Sequence, residues 1–172
     1  MPVTVNYNQI QLDGAIDFKL AREFSDQFEK ALSYPFNSLE LHISSPGGDV
    51  NACEHICNTI QLSYKPVDIY IHNSASKGQG KGHNRGYPGV ASGASVISQF
   101  GRKKVIDRNA TFLIHHSRSG RQIKHDIEDV YFWMERTGLD YDTVQKLLLE
   151  EPQMTADTAF NLGFVDEVNY NV

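Results

Sequence analysis

The stretch that decides the fold class runs Leu39-Glu-Leu-His-Ile-Ser-Ser-Pro-Gly-Gly-Asp-Val50. Its first part, residues 39–43, alternates apolar and polar side chains with the period of a half-buried strand. Ser45-Pro-Gly-Gly48 then interrupts the pattern, because proline and glycine break regular structure. The stretch therefore predicts a strand, a glycine turn and a helix. The helix is indicated by apolar side chains at helical spacing, at Val50, Cys53, Ile56, Cys57 and Ile60.

The same alternation of strands and helices continues along the chain. Period-two patterns predict strands at about 8–12, 67–71, 104–106, 111–114 and 164–168. Helical spacing predicts helices after Asp17, at about 94–100, 122–136 and 141–150, and after Thr155. Asp17, Asp140 and Thr155 are the predicted N-caps, and Gly163 is the predicted end of the last helix. Elements of this length and order predict an α/β domain, and alternation alone also allows a doubly wound sheet.

Amino-acid composition limits the kinds of protein and partner that the chain can represent. The chain has 172 residues, of which 40% are hydrophobic, so it can bury one sizeable core. Sixteen Lys and Arg against 21 Asp and Glu give a net charge of −5, which lacks the basic excess of a nucleic-acid binder. No apolar run approaches the roughly 20 residues of a membrane span, and the opening residues carry no secretory signal pattern. We therefore expect a cytoplasmic protein with neither nucleic acid nor membrane as a partner.

The two cysteines argue against a disulfide framework. Cys53 and Cys57 lie four residues apart on one predicted helix face, the pattern of two buried structural thiols. His55 between them raises the alternative of a metal site. Residues two apart face different ways on a helix, however, and no fourth ligand is evident. No metal or organic cofactor is expected.

A polar, glycine-rich segment occupies residues 74–89. It contains Gly-Lys-Gly but no Gly-Lys-Ser or Gly-Lys-Thr, so it does not match a phosphate-binding loop. Its composition is typical of a flexible surface loop. Because the segment is basic, contact with an acidic partner is an alternative.

Three segments combine reactive side chains with backbone suited to catalysis. The glycine turn at 45–48 can direct amides at an anion, although such turns are also common as plain structure. Ser92 and Ser95 open the 94–100 helix, where either can be an N-cap and either can be a nucleophile. His115 and His116 end an apolar strand, where a histidine can serve as a general base or simply pack. The order of the three segments along the chain is stronger evidence for a catalytic site than any one segment alone.

Taken in order, these motifs resemble the Clp protease proteolytic subunit family, ClpP, and its phage-type relatives. Ser45-Pro-Gly-Gly48 is similar to the oxyanion turn of that family, Ala91-Ser92 to its nucleophile segment and Leu113-Ile-His115 to its histidine strand. The closing signature is matched by Met154-Thr-Ala-Asp-Thr-Ala159 with Leu162-Gly-Phe-Val-Asp166. The resemblance implies one domain over residues 1–172 with a ClpP/crotonase-type α/β fold, a spiral of repeated strand-strand-helix units.

The resemblance also assigns residue roles. It implies Ser92 as the nucleophile, His115 as the general base, and Gly48 and Gly93 as the residues whose amides form the oxyanion hole. Ser95 is then a packing residue, and His116 is the less favoured base. The position of the family's third catalytic residue, an aspartate, is held here by Glu151. The nearby carboxylates Glu150, Asp140 and Asp126 remain alternatives for that role.

Three departures from the family pattern accompany these assignments. The segment 74–89 lies as an insertion just ahead of Ser92, and the handle helix at about 122–136 is shorter than in the family. Little chain precedes the first predicted strand at 8–12. Because of these departures, the sequence leaves open whether two rings stack and whether an ATPase is a partner.

The resemblance implies a serine endopeptidase that hydrolyses peptide or protein substrates within a homo-oligomeric ring of six or seven subunits. A catalytically inactive subunit that acts as a scaffold or partner is the first alternative, because Glu151 replaces aspartate and residues 74–89 are inserted. A crotonase-like acyl-CoA enzyme is the second, because that related fold uses a similar oxyanion hole without a nucleophilic serine.

Overall fold

The computed structural model of the chain describes residues 3–74, 86–119, 122–123 and 127–172. Its helices are α1 (Phe18–Leu32), α2 (Val50–Gln61), α3 (Gly93–Ser98), α4 (Ile127–Thr137), α5 (Tyr141–Glu150) and α6 (Ala156–Asn161). Its strands are β1 (Val3–Asn6), β2 (Gln9–Asp13), β3 (Leu39–Ser44), β4 (Val67–Ile71), β5 (Gly89–Ala91), β6 (Lys103–Asp107), β7 (Thr111–Leu113), β8 (Arg118–Ser119), β9 (Gln122–Ile123), β10 (Met154–Thr155) and β11 (Glu167–Asn169). The predicted α/β class is confirmed.

The larger sheet has the strand order β1-β2-β3-β4-β6-β11. All its neighbours pair in parallel except β1, which pairs antiparallel with β2 at the edge. One side chain in two along β3 is fully buried, at Leu39, Leu41 and Ile43. These residues share one core cluster with the buried faces of α1 and α2, which explains the apolar spacing read in both helices.

The smaller sheet has the order β10-β7-β5 and carries the segments that matter for chemistry. In the parallel pair β5 and β7, Ala91 lies opposite Leu113. An isolated bridge between Ser45 and Val90 ties this sheet to the end of β3. Because parallel strands end at the same edge, Ser92 and His115 leave the sheet side by side.

The helix caps follow the sequence. The carboxylate of Asp17 accepts the Leu20 N–H at 2.7 Å, and that of Asp140 accepts the Thr143 N–H at 2.9 Å. The Thr155 hydroxyl accepts the Thr158 N–H at 3.2 Å. These three predicted N-caps are confirmed. Each bond supplies a partner to an amide that the helix itself leaves unpaired.

Helix α4 is attached to the core by aromatic packing. Trp133 contacts Phe164 with ring centroids 5.4 Å apart and Phe112 at 6.3 Å, both edge to face. The handle helix predicted at about 122–136 begins at Ile127 in the structure, and residues 122–123 form a short strand instead. Of the inserted segment 74–89, residues 75–85 lie outside the described residues.

A line of titratable side chains crosses the face of the larger sheet that α1 and α2 leave uncovered. His42 Nδ1 lies 2.7 Å from His72 Nε2, and His72 Nδ1 lies 2.6 Å from Asp107 Oδ2. His42 Nε2 lies 3.2 Å from Glu40 Oε2 at the other end. Burial lowers the pKa of His42, and the Glu40 carboxylate offsets part of this shift. Among the residues the structure describes, no helix combines the length and apolar character needed to cross a membrane.

Candidate active site

Ser92 occupies a strained turn between β5 and α3. Its backbone angles, φ 57° and ψ −129°, lie in a region that side chains with a Cβ rarely adopt. The turn is held by the Ser92 N–H, which donates to the Leu113 carbonyl at 3.2 Å, and by the Ser95 N–H, which donates to the Ser92 carbonyl at 3.0 Å. Although Ser92 stands at the N-cap position, its side chain makes no capping hydrogen bond. The geometry of a strand, a sharp turn and a helix is one that presents a nucleophile.

Ser95 has a structural role, as predicted. The side chain is fully buried, and its Oγ donates to the Leu113 carbonyl at 2.6 Å. This bond fixes the start of α3 to the end of β7. The reading of Ser95 as a packing residue is confirmed.

The glycine turn lies directly against the Ser92 segment. Gly47 has φ 82°, and a Cβ added to it would lie 2.8 Å from the Gly93 nitrogen and 2.7 Å from the Ala91 carbonyl oxygen. A Cβ on Gly48 would lie 2.0 Å from the Ile16 carbonyl oxygen. Side chains are therefore excluded here by close backbone approach. The predicted Gly-Gly turn is thus a packing requirement of this site.

One cleft of about 760 Å³ opens beside these segments. Four of the predicted site residues line it, namely Ser92, His115, Gly48 and Gly93. Apolar and thiol side chains line it as well, among them Cys53, Cys57, Val96, Phe100, Ile114, Phe132 and Trp133. Carboxylates at Glu54, Glu128 and Asp129 and the guanidinium of Arg118 also line it. A cleft of this size, mostly apolar and with a few convergent polar groups, is typical of a ligand site.

The His115 ring is held by the backbone next to it. Its Nδ1 lies 2.6 Å from the His116 carbonyl oxygen. Because a carbonyl oxygen only accepts, Nδ1 must carry the hydrogen, and the Nε2 of the neutral ring then holds a lone pair. His115 is therefore in the tautomer that a general base requires. In the described part of the chain, no hydrogen bond joins this ring to Ser92 Oγ.

His116 lies on the inner side of the same segment. It is 2% exposed, and its Nδ1 lies 3.4 Å from Asp129 Oδ2. Asp129 also accepts the Ser117 N–H at 2.8 Å and the Ser117 hydroxyl at 3.0 Å. Asp129 thereby fastens the chain beyond His115 to the first turn of α4. The sequence reasoning missed this carboxylate, because its spacing from the histidines carries no signal.

Glu151 is not among the residues that line the cleft. It ends α5 in the left-handed conformation, with φ 49° and ψ 48°, and its Oε1 is ion-paired with Arg118 Nη2. Within the described residues, no ion pair or hydrogen bond joins Glu151 to His115. Arg118 itself lines the cleft, so the carboxylate of Glu151 is held by a residue of the cleft wall. The role of Glu151 stays a prediction.

The alternative carboxylates occupy other places. Asp140 caps α5, which lowers the pKa of its carboxyl through the Thr143 N–H, and Glu150 is exposed. Asp126 lies outside the described residues. Neither described alternative lines the cleft.

The two cysteines are buried, as predicted, yet both reach the cleft. Burial raises the pKa of each thiol to about 12. His55 lies apart from them, with its Nε2 2.8 Å from Ser25 Oγ. The three side chains thus do not converge, and no group of three or more His, Cys, Asp or Glu is placed to hold a metal in the part of the chain that the structure describes.

The chain is similar to known proteins in both sequence and fold. The sequence model of one family, described as Clp protease, matches residues 3–171. Among solved structures, a ClpP1 mutant from Listeria monocytogenes superimposes with a TM-score of 0.73 at 21% sequence identity. That match covers 96% of this chain and 92% of the Listeria chain. At this identity the structural match establishes the fold, and the expected ClpP-type α/β architecture is confirmed.

Proposed function

The chain belongs to the Clp protease family, and we propose on this premise that it is a serine endopeptidase that forms an acyl-enzyme on Ser92. The observation that carries the proposal is the strained turn at Ser92, which opens into the same cleft as His115 and the two glycines. Strain of this kind is found where a fold must present a reactive group.

The proposed reaction begins with proton transfer from Ser92 Oγ to His115 Nε2 as Oγ attacks the peptide carbonyl. The carbonyl oxygen becomes an oxyanion, which accepts hydrogen bonds from the Gly48 and Gly93 amides. His115 then returns the proton to the leaving amine as the C–N bond breaks. A water molecule repeats the sequence on the acyl-enzyme, giving a carboxylic acid product and free Ser92.

His115 is oriented in the structure by a backbone carbonyl. In the structure the His116 carbonyl accepts from Nδ1, and it can hold the tautomer but carries no full negative charge. A carboxylate would stabilise the imidazolium that forms during catalysis more strongly. We propose that Glu151 supplies this charge once its ion pair with Arg118 is released.

The cleft fits a peptide substrate. Its volume of about 760 Å³ accommodates several residues, and its apolar wall, which includes Phe100, Phe132 and Trp133, can bury a large side chain. The family match supports protein or peptide substrates. We propose no metal or organic cofactor, because this scheme uses only the residues named above.

We further propose a cytoplasmic homo-oligomeric ring. Large apolar side chains are exposed on α4 and α5 of the single chain, at Ile127, Tyr131, Tyr141 and Leu149, as expected of a surface that copies of the chain cover. The subunit number is measurable by analytical ultracentrifugation. A monomer at all concentrations would contradict the ring.

An inactive subunit is the second candidate, and one observation favours it. Glu151 is paired with Arg118 and makes no contact with His115 in the described part of the chain. If that arrangement persists with substrate bound, the imidazolium lacks a charged partner. The protein would then fold and assemble without turnover.

The test is covalent labelling with a fluorophosphonate probe, followed by mass spectrometry to locate the modified residue. We expect labelling at Ser92 that disappears in Ser92→Ala and persists in Ser95→Ala, since Ser95 Oγ is buried and bonded to Leu113. His115→Ala should abolish labelling, whereas His116→Ala should retain it wherever the variant folds. Absence of labelling in folded, assembled protein would refute the peptidase and favour the inactive subunit.

A further inference from the structure

The side chain that packs against Gly93 comes from α2. Cys53 is 4% exposed and lines the cleft together with Ser92. A Cβ added to Gly93 would lie 2.4 Å from Cys53 Sγ and 3.0 Å from Cys53 Cβ. Gly93 therefore packs directly on this thiol.

The other side of the Gly93 amide faces the glycine turn. A Cβ added to Gly47 would lie 2.8 Å from the Gly93 nitrogen, so the two backbones are in close approach. Gly93 is thus approached by the glycine turn at its nitrogen and by Cys53 Sγ on the side where a Cβ would stand. In the proposed reaction this amide is one of the two donors to the oxyanion.

From this packing we propose that Cys53 is a positioning residue, whose sulfur sets the location of the Gly93 amide in the oxyanion hole. The inference rests on the proposed function, because the hole matters only if Ser92 forms a tetrahedral intermediate. An oxyanion donor acts only at the position where the charge develops, so a small displacement lowers kcat rather than substrate binding.

The protonation state of the thiol suits this place. Burial above all, and the charge of Asp49 next, raise the pKa of Cys53 to about 12, and the Gly48 amide offsets part of the shift. The thiol therefore stays neutral at physiological pH. A thiolate at this point would repel the developing oxyanion, whereas a neutral sulfur provides bulk without charge.

Cys57 provides a matched comparison. It lies one turn further along α2, is 5% exposed, lines the same cleft and has a pKa raised by burial to the same value of about 12. It is not among the atoms that a Cβ on Gly93 would meet. The two thiols therefore share burial and chemistry and differ in contact with Gly93.

The experiment measures kcat and KM with a fluorogenic peptide, and the rate of fluorophosphonate labelling, on assembled protein. We expect Cys53→Ala to lower kcat about 10-fold with KM within about twofold, because the amide loses its support. Cys53→Ser, which keeps a γ atom, should recover most of the loss. Cys57→Ala should change KM rather than kcat, because that thiol lines the cleft but is not among the atoms that a Cβ on Gly93 would meet. Should Cys53→Ala fail to fold, Cys53→Val, which presses on Gly93, should lower kcat in the same way.

Equal kcat values for wild type and for every folded Cys53 variant would overturn the inference. So would an equal loss of kcat in Cys57→Ala, because the effect would then be general packing. These results differ from a failure of the proposed function, in which wild-type protein itself shows neither labelling at Ser92 nor turnover and both proposals are refuted together.

Discussion

Replacement of Ser92 by glycine should stabilise the protein relative to replacement by alanine. The φ of 57° at this residue is costly for any residue with a Cβ, by about 1–3 kcal/mol. Ser92→Ala keeps that cost, and it loses no capping bond, because the serine side chain makes none. Ser92→Gly removes the strain.

The magnitude follows from two opposing contributions. Relief of strain contributes about 2 kcal/mol in favour of glycine. The greater freedom of glycine in the unfolded chain costs about 0.4–1 kcal/mol relative to alanine. The glycine variant should therefore be about 1 kcal/mol more stable than the alanine variant, which corresponds to about 2–4 °C in Tm for a chain of this length.

The assay is urea unfolding of both variants at equal protein concentration, because assembly shifts apparent stability by mass action. Neither variant has the serine hydroxyl, so loss of the nucleophile is common to both. A glycine variant that unfolds at the same or a lower urea concentration than the alanine variant would show that the turn is unstrained.

Two other perturbations test the charges described above. Arg118→Met removes the ion partner of Glu151, so the Glu151 carboxylate becomes available to His115 in the proposed scheme. We therefore expect kcat/KM to rise about threefold or more. We also expect Glu151→Gln to lower kcat/KM more in the Arg118→Met background than in wild type. An equal effect of Glu151→Gln in both backgrounds, measured by a double-mutant cycle, would count against release of the pair. The lowered pKa of His42 means that the unfolded chain takes up a proton first as the pH falls below the ordinary value of 6.5, so stability is lost on acidification. Urea midpoints at about pH 7.5 and about pH 5.5 should therefore differ more in wild type than in His42→Gln, and equal differences would exclude this contribution.

Local patterns were sufficient for most of the fold. Apolar and polar side chains alternate along 39–43, which form β3, and apolar side chains recur at helical spacing from Val50, where α2 begins. Both patterns arise because helices cover one face of the sheet, so that every second strand residue and one face of each helix are buried. The short edge strand β1 was missed, since it is four residues long and turns into β2 at Tyr7, which adopts φ 59° without glycine.

The last predicted strand was displaced along the chain. Phe164 and Val165 are buried, and that burial produced the apolar run read as a strand at 164–168. They pack in the core beyond α6, and regular pairing begins only at Glu167 opposite Val105. Burial alone does not distinguish a strand from an apolar loop that fills the core.

At the candidate site, motif order placed Ser92, His115, Gly48 and Gly93, and the structure brings these four into one cleft. The ion pair of Glu151 with Arg118 had no signal in the sequence. Those residues are 33 positions apart, and their contact depends on how α5 ends beside β8. Contacts set by tertiary packing leave no periodic trace in a single sequence.

The central place of β7 in the smaller sheet has a consequence for how the site is made. One of its edges pairs with β5, which leads to Ser92, and the other pairs with β10, so that Met154 lies opposite Phe112. At the far side, Ile16 bridges Gly48 in the glycine turn. The segments around Ile16 and Met154 thus flank the proposed catalytic groups. During synthesis, Ser92 and His115 leave the ribosome before β10, the strand that completes their sheet. Full assembly of the proposed site therefore waits until β10 has been made.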